Sequence, residues 1–284
     1  MIQLHAFFSN GLIEFARVYL ESFKLHHGEE IPILFDTRDL ERREIHELHD
    51  LYGNLTVRNR ALDFKRLAEL STLDEQTLRR MKDEIEHEVT TDENFRWKLL
   101  MSVEERYMQL LALCQEQRAA GFTKLVHTDI DSYFRGPITG IGDMLDEYDV
   151  VMPIRNKKRG LFKKNRKTGR IWGCLIGLAL EAPSERFLTE WHRRMVEVPF
   201  PEKPRGFGQL SLYAAYAACR NDVRFGNLYA DRRAPGLCKI YDDMTEDSEA
   251  MAATIWAGNS NAGRNRKDLS AQRFRTDMHA ENSP

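Results

Sequence analysis

The 284-residue chain is short of several things, and each shortage excludes something. Its four cysteines, Cys114, Cys174, Cys219 and Cys238, lie far apart with no CxxC pair. That spacing excludes a zinc ribbon and a disulfide scaffold and leads us to expect a reducing, cytoplasmic setting. No apolar run is long. The best, GCLIGLALEA (173–182), falls far below the roughly 18 residues that a membrane-spanning helix needs. The opening MIQLHAFFSNGLIEF has no basic cluster and an early Glu14, so a signal peptide is not expected. A formal net charge of −2 gives no global reason to bind nucleic acid. Internal repeats and Pro-, Gly- or Ser-rich linkers are missing too. What the chain does have is a 42% apolar content, enough for a packed core, which excludes disorder.

The apolar pattern alternates between two periods. IQLHAFF (2–8) is β-prone and ends in the turn residues Ser9, Asn10 and Gly11. LIEFARVYLESFKLHH then repeats apolar residues at helical spacing, and IPILFD (31–36) is a strand too brief for a helix. Strand, helix, strand within 36 residues is the rhythm of a parallel sheet covered by helices. A third strand is expected at NLTVRN (54–59). Residues 61–120 contain neither Gly nor Pro and read as a helical insertion. Within it, Thr72 and Glu75 resemble a capping box, and a long helix over about 93–119 aligns Phe95, Leu99, Val103, Tyr107, Leu110, Leu111 and Cys114. Strands return at 123–131, 149–154 and 172–180. Helices follow at 184–198, with Ser184 as N-cap, and at 207–220, then short strands at 223–229 and 253–258. The expectation is an α/β chain: one Rossmann-like domain over 1–260, its sheet mixed but mostly parallel, with a helical insertion at about 61–120 and a polar tail at 261–284.

The stretch KLVHTDIDSYFRGPI (124–138) carries the chemistry. An apolar strand runs into Asp129 and Asp131, which face the same side if the strand continues. Two carboxylates there repel unless a cation sits between them. A hard divalent ion, Mn²⁺ or Mg²⁺, is the natural partner, since it takes oxygen ligands and leaves positions for phosphate oxygens. The carboxyl ends of strands in an open α/β sheet are also where ligands bind.

A strand ending in Asp-x-Asp with a nearby Pro-Ile resembles the donor-binding core of GT-A fold glycosyltransferases, which use nucleotide-diphosphate sugars. IQLHAFFSNGLIEFARVYLESF with IPILFD is similar to the opening of that fold, DVVMPIR and WGCLIGLALEAPSERFLTEW to its later strands and helix, and GFGQLSLYAAY to a helix that usually opens with Asp-Gln. The resemblance covers about 1–60 and 93–260. It implies a transfer of a hexosyltransferase kind, from a nucleotide-diphosphate sugar donor to a saccharide, lipid-linked or protein acceptor. It places Phe8, Ser9 and Asn10 near the base and ribose, Asp129 and Asp131 on the metal with Asp129 also near ribose, and Trp172 beside the site. Gln209 would act at the reacting centre, and Asp242 as acceptor base, with Asp243 and Glu181 as alternatives. Two departures stand out. Gly208 replaces the usual Asp, and Ala257 in IWAGNSNAGRNRK replaces the His of a Trp-His-Gly segment, leaving Asn259 or a water to complete the metal site.

Residues 155–170, RNKKRGLFKKNRKTGR, hold nine Lys or Arg and no acid, so the other 268 residues carry about −11. Lys157 and Arg159 are candidates for gripping the donor diphosphate, because clustered cations focus field on phosphate. Peripheral contact with an anionic inner membrane face is the other expectation for this segment. Recognition of nucleic acid is not, since Phe162 is its only aromatic residue. Two alternatives accompany the transferase reading. One is a non-catalytic nucleotide-sugar-binding relative, motivated by Gly208 and Ala257. The other is a haloacid-dehalogenase-type phosphatase, whose Asp-x-Asp belongs on a first strand rather than behind a βαβ unit.

Overall fold

The computed structural model describes residues 1–84, 92–134, 136–154, 171, 173–204, 206–228, 238–240 and 255–257. Strands β1 (Ile2–Ser9), β2 (Ile33–Arg38), β3 (Leu55–Arg60) and β4 (Lys124–Asp129) lie parallel, in the order β3-β2-β1-β4. Helix α1 (Ile13–His27) links β1 to β2, and α2 (Arg42–Leu51) links β2 to β3. Beyond β4 come β7 (Leu175–Ala179), β6 (Val150–Met152) and β8 (Phe225–Asn227). Only β7 among the described strands of this sheet runs against the rest. A second sheet pairs β5 (Ser132–Phe134) with β10 (Ile255–Ala257) and β10 with β9 (Cys238–Ile240). The mixed, mostly parallel α/β sheet is the expected class.

Each face of the large sheet buries its own core. Leu4, Ala6, Phe8, Phe35 and Val126 pack on α1, on α2 and on α7 (Thr139–Glu147). Leu34, Leu125, Ile176 and Leu178 meet the other helices. These are α3 (Phe64–Ser71), α4 (Glu75–Glu84), the rod from α5 (Asp92–Leu99) to α6 (Leu110–Ala119), α8 (Ala182–Val196) and α9 (Phe207–Cys219). The helical insertion therefore lies between β3 and β4 in sequence and covers the second face.

Three local expectations are corrected. Thr72 does not cap α4. It ends α3 in the left-handed region at φ 60°, and Asp74 caps α4 by accepting from the Thr77 N–H at 2.8 Å. Ser184 lies inside α8, whose N-cap is Glu181, and its hydroxyl donates to the Asp149 carbonyl at 2.6 Å. The strand that carries the carboxylate pair stops at Asp129, and residues 130–131 form a turn into β5. The two carboxylates therefore do not share a strand face. No described helix is long and apolar enough to cross a membrane. Among the described residues, Cys114, Cys174 and Cys219 are buried and form no disulfide.

Candidate functional site

The site forms where β4 ends. Asp129 pairs in register with Phe7 of β1, and its N–H donates to the Cys174 carbonyl at 2.8 Å, so its backbone is held on both sides. Its carboxylate is ion-paired with Arg106. Asp131 and Ser132 follow, both buried.

Arg106 comes from an unusual piece of helix. The rod from Asp92 to Ala119 widens to π-helix over Leu100–Arg106 and tightens to 3₁₀ over Tyr107–Gln109. Such π segments are rare and concentrate at functional sites. Here three successive charged residues each find a partner. Glu104 meets Lys203, Glu105 bridges Arg38 at 2.7 Å and Arg66 at 2.8 Å, and Arg106 meets Asp129. Glu104 and Glu105 are buried, so each of their pairs is costly to break from one side. Burial works against the Arg106 charge, but Asp129, Tyr107 and Asp131 outweigh it and keep the guanidinium a cation. Burial pushes the Asp129 carboxyl up, against the pull of Arg106.

Tyr107 accepts a hydrogen bond from Arg106 and lies 4.1 Å below its guanidinium carbon, measured to the ring centroid. The ring is cradled by two glycines. A Cβ on Gly173 would stand 2.6 Å from the Tyr107 hydroxyl, and one on Gly208 would stand 2.9 Å from its Cε2. Gly208 therefore has a physical reason: Tyr107 fills the space that any side chain there would need. The start of α9 is fastened to α8 beside it, because Trp191 Nε1 donates to Ser211 Oγ and that hydroxyl donates to the Gly208 carbonyl, both at 3.0 Å.

A buried polar row runs from the site across four strands. His127 Nδ1 lies 2.8 Å from His5 Nδ1, and His5 Nε2 lies 3.1 Å from Asp36 Oδ2. Arg58 grips Asp36 with two nitrogens, at 2.8 and 2.5 Å, and reaches Glu116 of α6. Period-2 alternation puts His5, Phe7, Asp36, Arg58, His127 and Asp129 on one sheet face. Burial pushes both imidazoles below their ordinary value. Burial also disfavours the Asp36 carboxylate, yet the bonds from His5 and Arg58 prevail and hold it well below the usual range.

The sequence-predicted site residues fare unevenly. Asp129 and Asp131 lie together at the end of β4. Ser9 ends β1 opposite Arg38, and Asn10 opens the 3₁₀ turn that leads into α1. Phe8 is corrected: its ring is 1% exposed and packs edge-on against Phe35 in the core, so it is not presented to a ligand. Parity gives the site face to Phe7, which lies under the Arg38 guanidinium. Gln209 is half-buried in the first turn of α9, next to the glycine that cradles Tyr107. Glu181 follows β7, whose register pairs Leu175 with Thr128 and Ala179 with Lys124. It therefore stands at the far end of the sheet from Asp129 and cannot serve there as a base. Lys157, Arg159, Trp172, Asp242, Asp243 and Asn259 lie outside the described residues, as do the basic segment 155–170 and the tail 261–284.

Arg106, Tyr107 and the His5–His127 pair were missed by sequence reasoning. The available signals were small: histidines inside two apolar strands, and Glu-Glu-Arg interrupting a helix otherwise apolar on one face.

For a divalent cation the donor set is chemically suitable. Asp129 and Asp131 supply carboxylate oxygens, and the next hydroxyl, Ser132 Oγ, is buried with no hydrogen-bond partner. All are hard oxygen donors of the kind Mg²⁺ and Mn²⁺ take. Among the described residues no group of three or more His, Cys, Asp or Glu side chains gathers into a complete metal site.

No family model matches the chain, and no curated protein does. Solved structures do. Mouse xyloside xylosyltransferase 1, in its apo form, is 13% identical, with 93% of this chain and 99% of that one covered at a TM-score of 0.51. The galactosyltransferase LgtC, in complex with donor and acceptor sugar analogs, is 12% identical, with 99% and 97% covered at 0.54. The bifunctional glycosyltransferase WbbM, also 12% identical, matches all of this chain at 0.55, and this chain spans half of it. The chain thus has the GT-A-like α/β fold that these three glycosyltransferases share.

Proposed function

We propose that the protein is a glycosyltransferase that moves a sugar from a nucleotide-diphosphate donor to an acceptor hydroxyl. One observation carries this reading: a carboxylate pair stands at the carboxyl end of β4 with the Arg106 cation against it. The arrangement suits a ligand that brings both negative charge and metal-binding oxygens. The fold shared with LgtC, solved with donor and acceptor sugar analogs, supports it.

In the reaction the acceptor oxygen bonds to the anomeric carbon while the bond from that carbon to the diphosphate oxygen breaks. The electron pair leaves on the phosphate, and the hydroxyl proton goes to a base. The difficulty is the negative charge that develops on the leaving oxygen, and preorganised cations in a site shielded from water lower that barrier most. Arg106 is such a cation, held rigidly by Tyr107 and Asp129. Asp131 and Asp129 would hold the divalent ion, which when bound supplies Lewis-acid stabilisation of the same charge. Lys157 and Arg159 would add positive charge at the diphosphate, and Asp242 would take the acceptor proton. Asn259 would complete the metal site in place of the missing His.

The test is isothermal titration with UDP, GDP and their sugars, with and without Mn²⁺, followed by a donor-hydrolysis screen. Metal-dependent binding with turnover, both lost in Asp131→Ala, is the expected result. Binding without turnover against any acceptor would convert the reading to a nucleotide-sugar-binding protein. No nucleotide binding, with Asp131→Ala behaving as the parent, overturns it.

A further inference from the structure

Lys203 is 6% exposed, and its ammonium is ion-paired with Glu104, itself 5% exposed. The same ammonium lies 5.7 Å from the ring centroid of Phe200 and 5.5 Å from that of Phe207. A lysine is almost never buried this far unless it is paired. Yet a buried pair is a poor way to gain stability. Taking both charges out of water costs much of what their attraction returns, and apolar side chains of similar volume hold as well or better. What an ion pair adds is definition, because both charges are satisfied in only one narrow geometry.

The pair joins the π-helical turn to the segment that leads into α9. That segment runs through the 3₁₀ turn Phe200–Glu202 to Gly206, which precedes α9 in the left-handed region at φ 75°. Its backbone is tightly tied. The Lys203 N–H donates to the Phe200 carbonyl and the Phe207 N–H to the Pro204 carbonyl, both at 3.1 Å. The Gln209 and Leu210 N–H groups both donate to the Gly206 carbonyl at 3.0 Å. Lys203 and the first turn of α9 therefore move together.

Against the rod, by contrast, that first turn has little to interlock. Its contact there is Gly208, where a Cβ would stand 2.9 Å from Tyr107 Cε2 and 3.7 Å from Val103 Cγ2. A glycine against an aromatic ring sets a distance of approach but not a position along the ring. The bonds through Trp191 and Ser211 fasten α9 to α8, not to the rod. The connection from this segment to the rod that has a defined geometry is Lys203 to Glu104.

We propose that Lys203 is a positioning residue for the first turn of α9: its pair with Glu104 sets where that turn, with Gln209 as its third residue, lies along the rod. Glu104 and Arg106 belong to one π-helical turn. That turn thus fixes two things at once, α9 through Lys203 and the end of β4 through Asp129. The placement of α9 stands without reference to function. The consequence for turnover rests on the transferase reading, with Gln209 acting at the reacting centre.

The experiment uses the full chain and the double variant Glu104→Leu with Lys203→Met, which keeps the buried volume and removes both charges. Its urea midpoint should equal or exceed that of the parent. Amide hydrogen exchange of Gln209 and Leu210 should accelerate by about tenfold or more, while that of Ala215 in mid-helix stays unchanged. With the UDP- or GDP-sugar that turns over in the donor screen, kcat should fall roughly 10- to 100-fold, the scale of a misplacement near 1 Å. KM should stay within about twofold, because donor binding does not pass through α9. Lys203→Arg keeps the cation beside Glu104 and should retain both the slow exchange and most of kcat. Unchanged exchange at Gln209 and Leu210 in the double variant overturns the proposal. So does a kcat equal to that of the parent, or a KM that rises as far as kcat falls. A double variant that does not fold would make the pair a requirement of the fold, and that also overturns it. If the parent turns over no donor, the transferase reading fails, and the exchange rates decide the placement of α9 by themselves.

Discussion

The two faces of the seven-stranded sheet are made from alternate residues of the same strands, yet their chemistry is opposite. On the α1 face, Phe8, Tyr19, Phe23, Phe35 and Phe134 form a chain of edge-to-face aromatic contacts. Its polar groups are few and locally satisfied, as where Tyr19 and Thr128 share a hydrogen bond at 2.7 Å. On the insertion face the same strands present His5, Asp36, Arg58, His127 and Asp129, with Asp129 tied to Arg106 of the π-helical turn and Arg58 to Glu116 of α6. Burial on the first face is favourable by itself, on the order of 2–3 kcal/mol for each large side chain. Burial on the second is tolerated only while every charge keeps its partner. One face makes the fold robust. The other holds polar groups in place at some cost in stability, as a binding site requires.

Arg106→Ala should break the contrast most strongly. It leaves Asp129 buried without its cation, so stability should fall by about 3–5 kcal/mol in urea titration. Donor turnover by the folded fraction should fall by roughly 10²–10³, the loss typical when one preorganised donor is removed. Phe23→Ala on the dry face should cost a similar 3–5 kcal/mol through the cavity it leaves, but turnover per folded molecule should be unchanged. Equal stability losses with unequal activity losses would sharpen the division of labour; equal activity losses would break it.

A smaller effect is expected from His27, which edges the dry face. Burial, with His26 beside it, lowers its value from 6.5 to about 4, and its Nε2 accepts the Ile138 N–H at 3.0 Å. The unfolded chain binds the proton more tightly than the fold does. The contribution is therefore present in full above pH 6.5 and is lost as pH falls toward 4, by on the order of 2 kcal/mol. His27→Gln should flatten that slope in urea stability measured from pH 7 to 4. Gly208→Ala, beside Tyr107, should cost about 1–3 kcal/mol by overpacking, and less when combined with Tyr107→Leu. At the bottom of the scale, Arg193→Ala should barely move the urea midpoint, because Arg193 is exposed on α8 and its ion pairs are the short-range ones to Glu190 and Glu197, three and four residues away.

Much of this was legible in the residues. The first βαβ unit, the long helix through 93–119 and the Asp129–Asp131 pair all follow from patterns within a few residues of one another. Phe8 shows where such patterns end: an aromatic at a strand terminus looks available to a base until parity assigns it to the core and Phe7 to the site. Arg106 shows it again. Nothing local distinguishes a solvated arginine on a helix from one aimed at a carboxylate 23 positions away, because the π-helical turn that aims it depends on partners in β2, α3, β4 and the segment before α9. Gly208 looked like a lost acid in the sequence, and the fold explains it as room for Tyr107.

The sequence by itself therefore determined the order of strands and helices, the α/β class and the position of the carboxylate pair, since propensity and hydrophobic period act over short distances. Only the tertiary structure decided which cation meets Asp129, which strand residues face the site and where the histidine row leads. Those depend on strand register and on burial, which bring together residues more than a hundred positions apart, as with His5 and His127. In a closed interior each polar group must find a partner, and that requirement belongs to the packed whole.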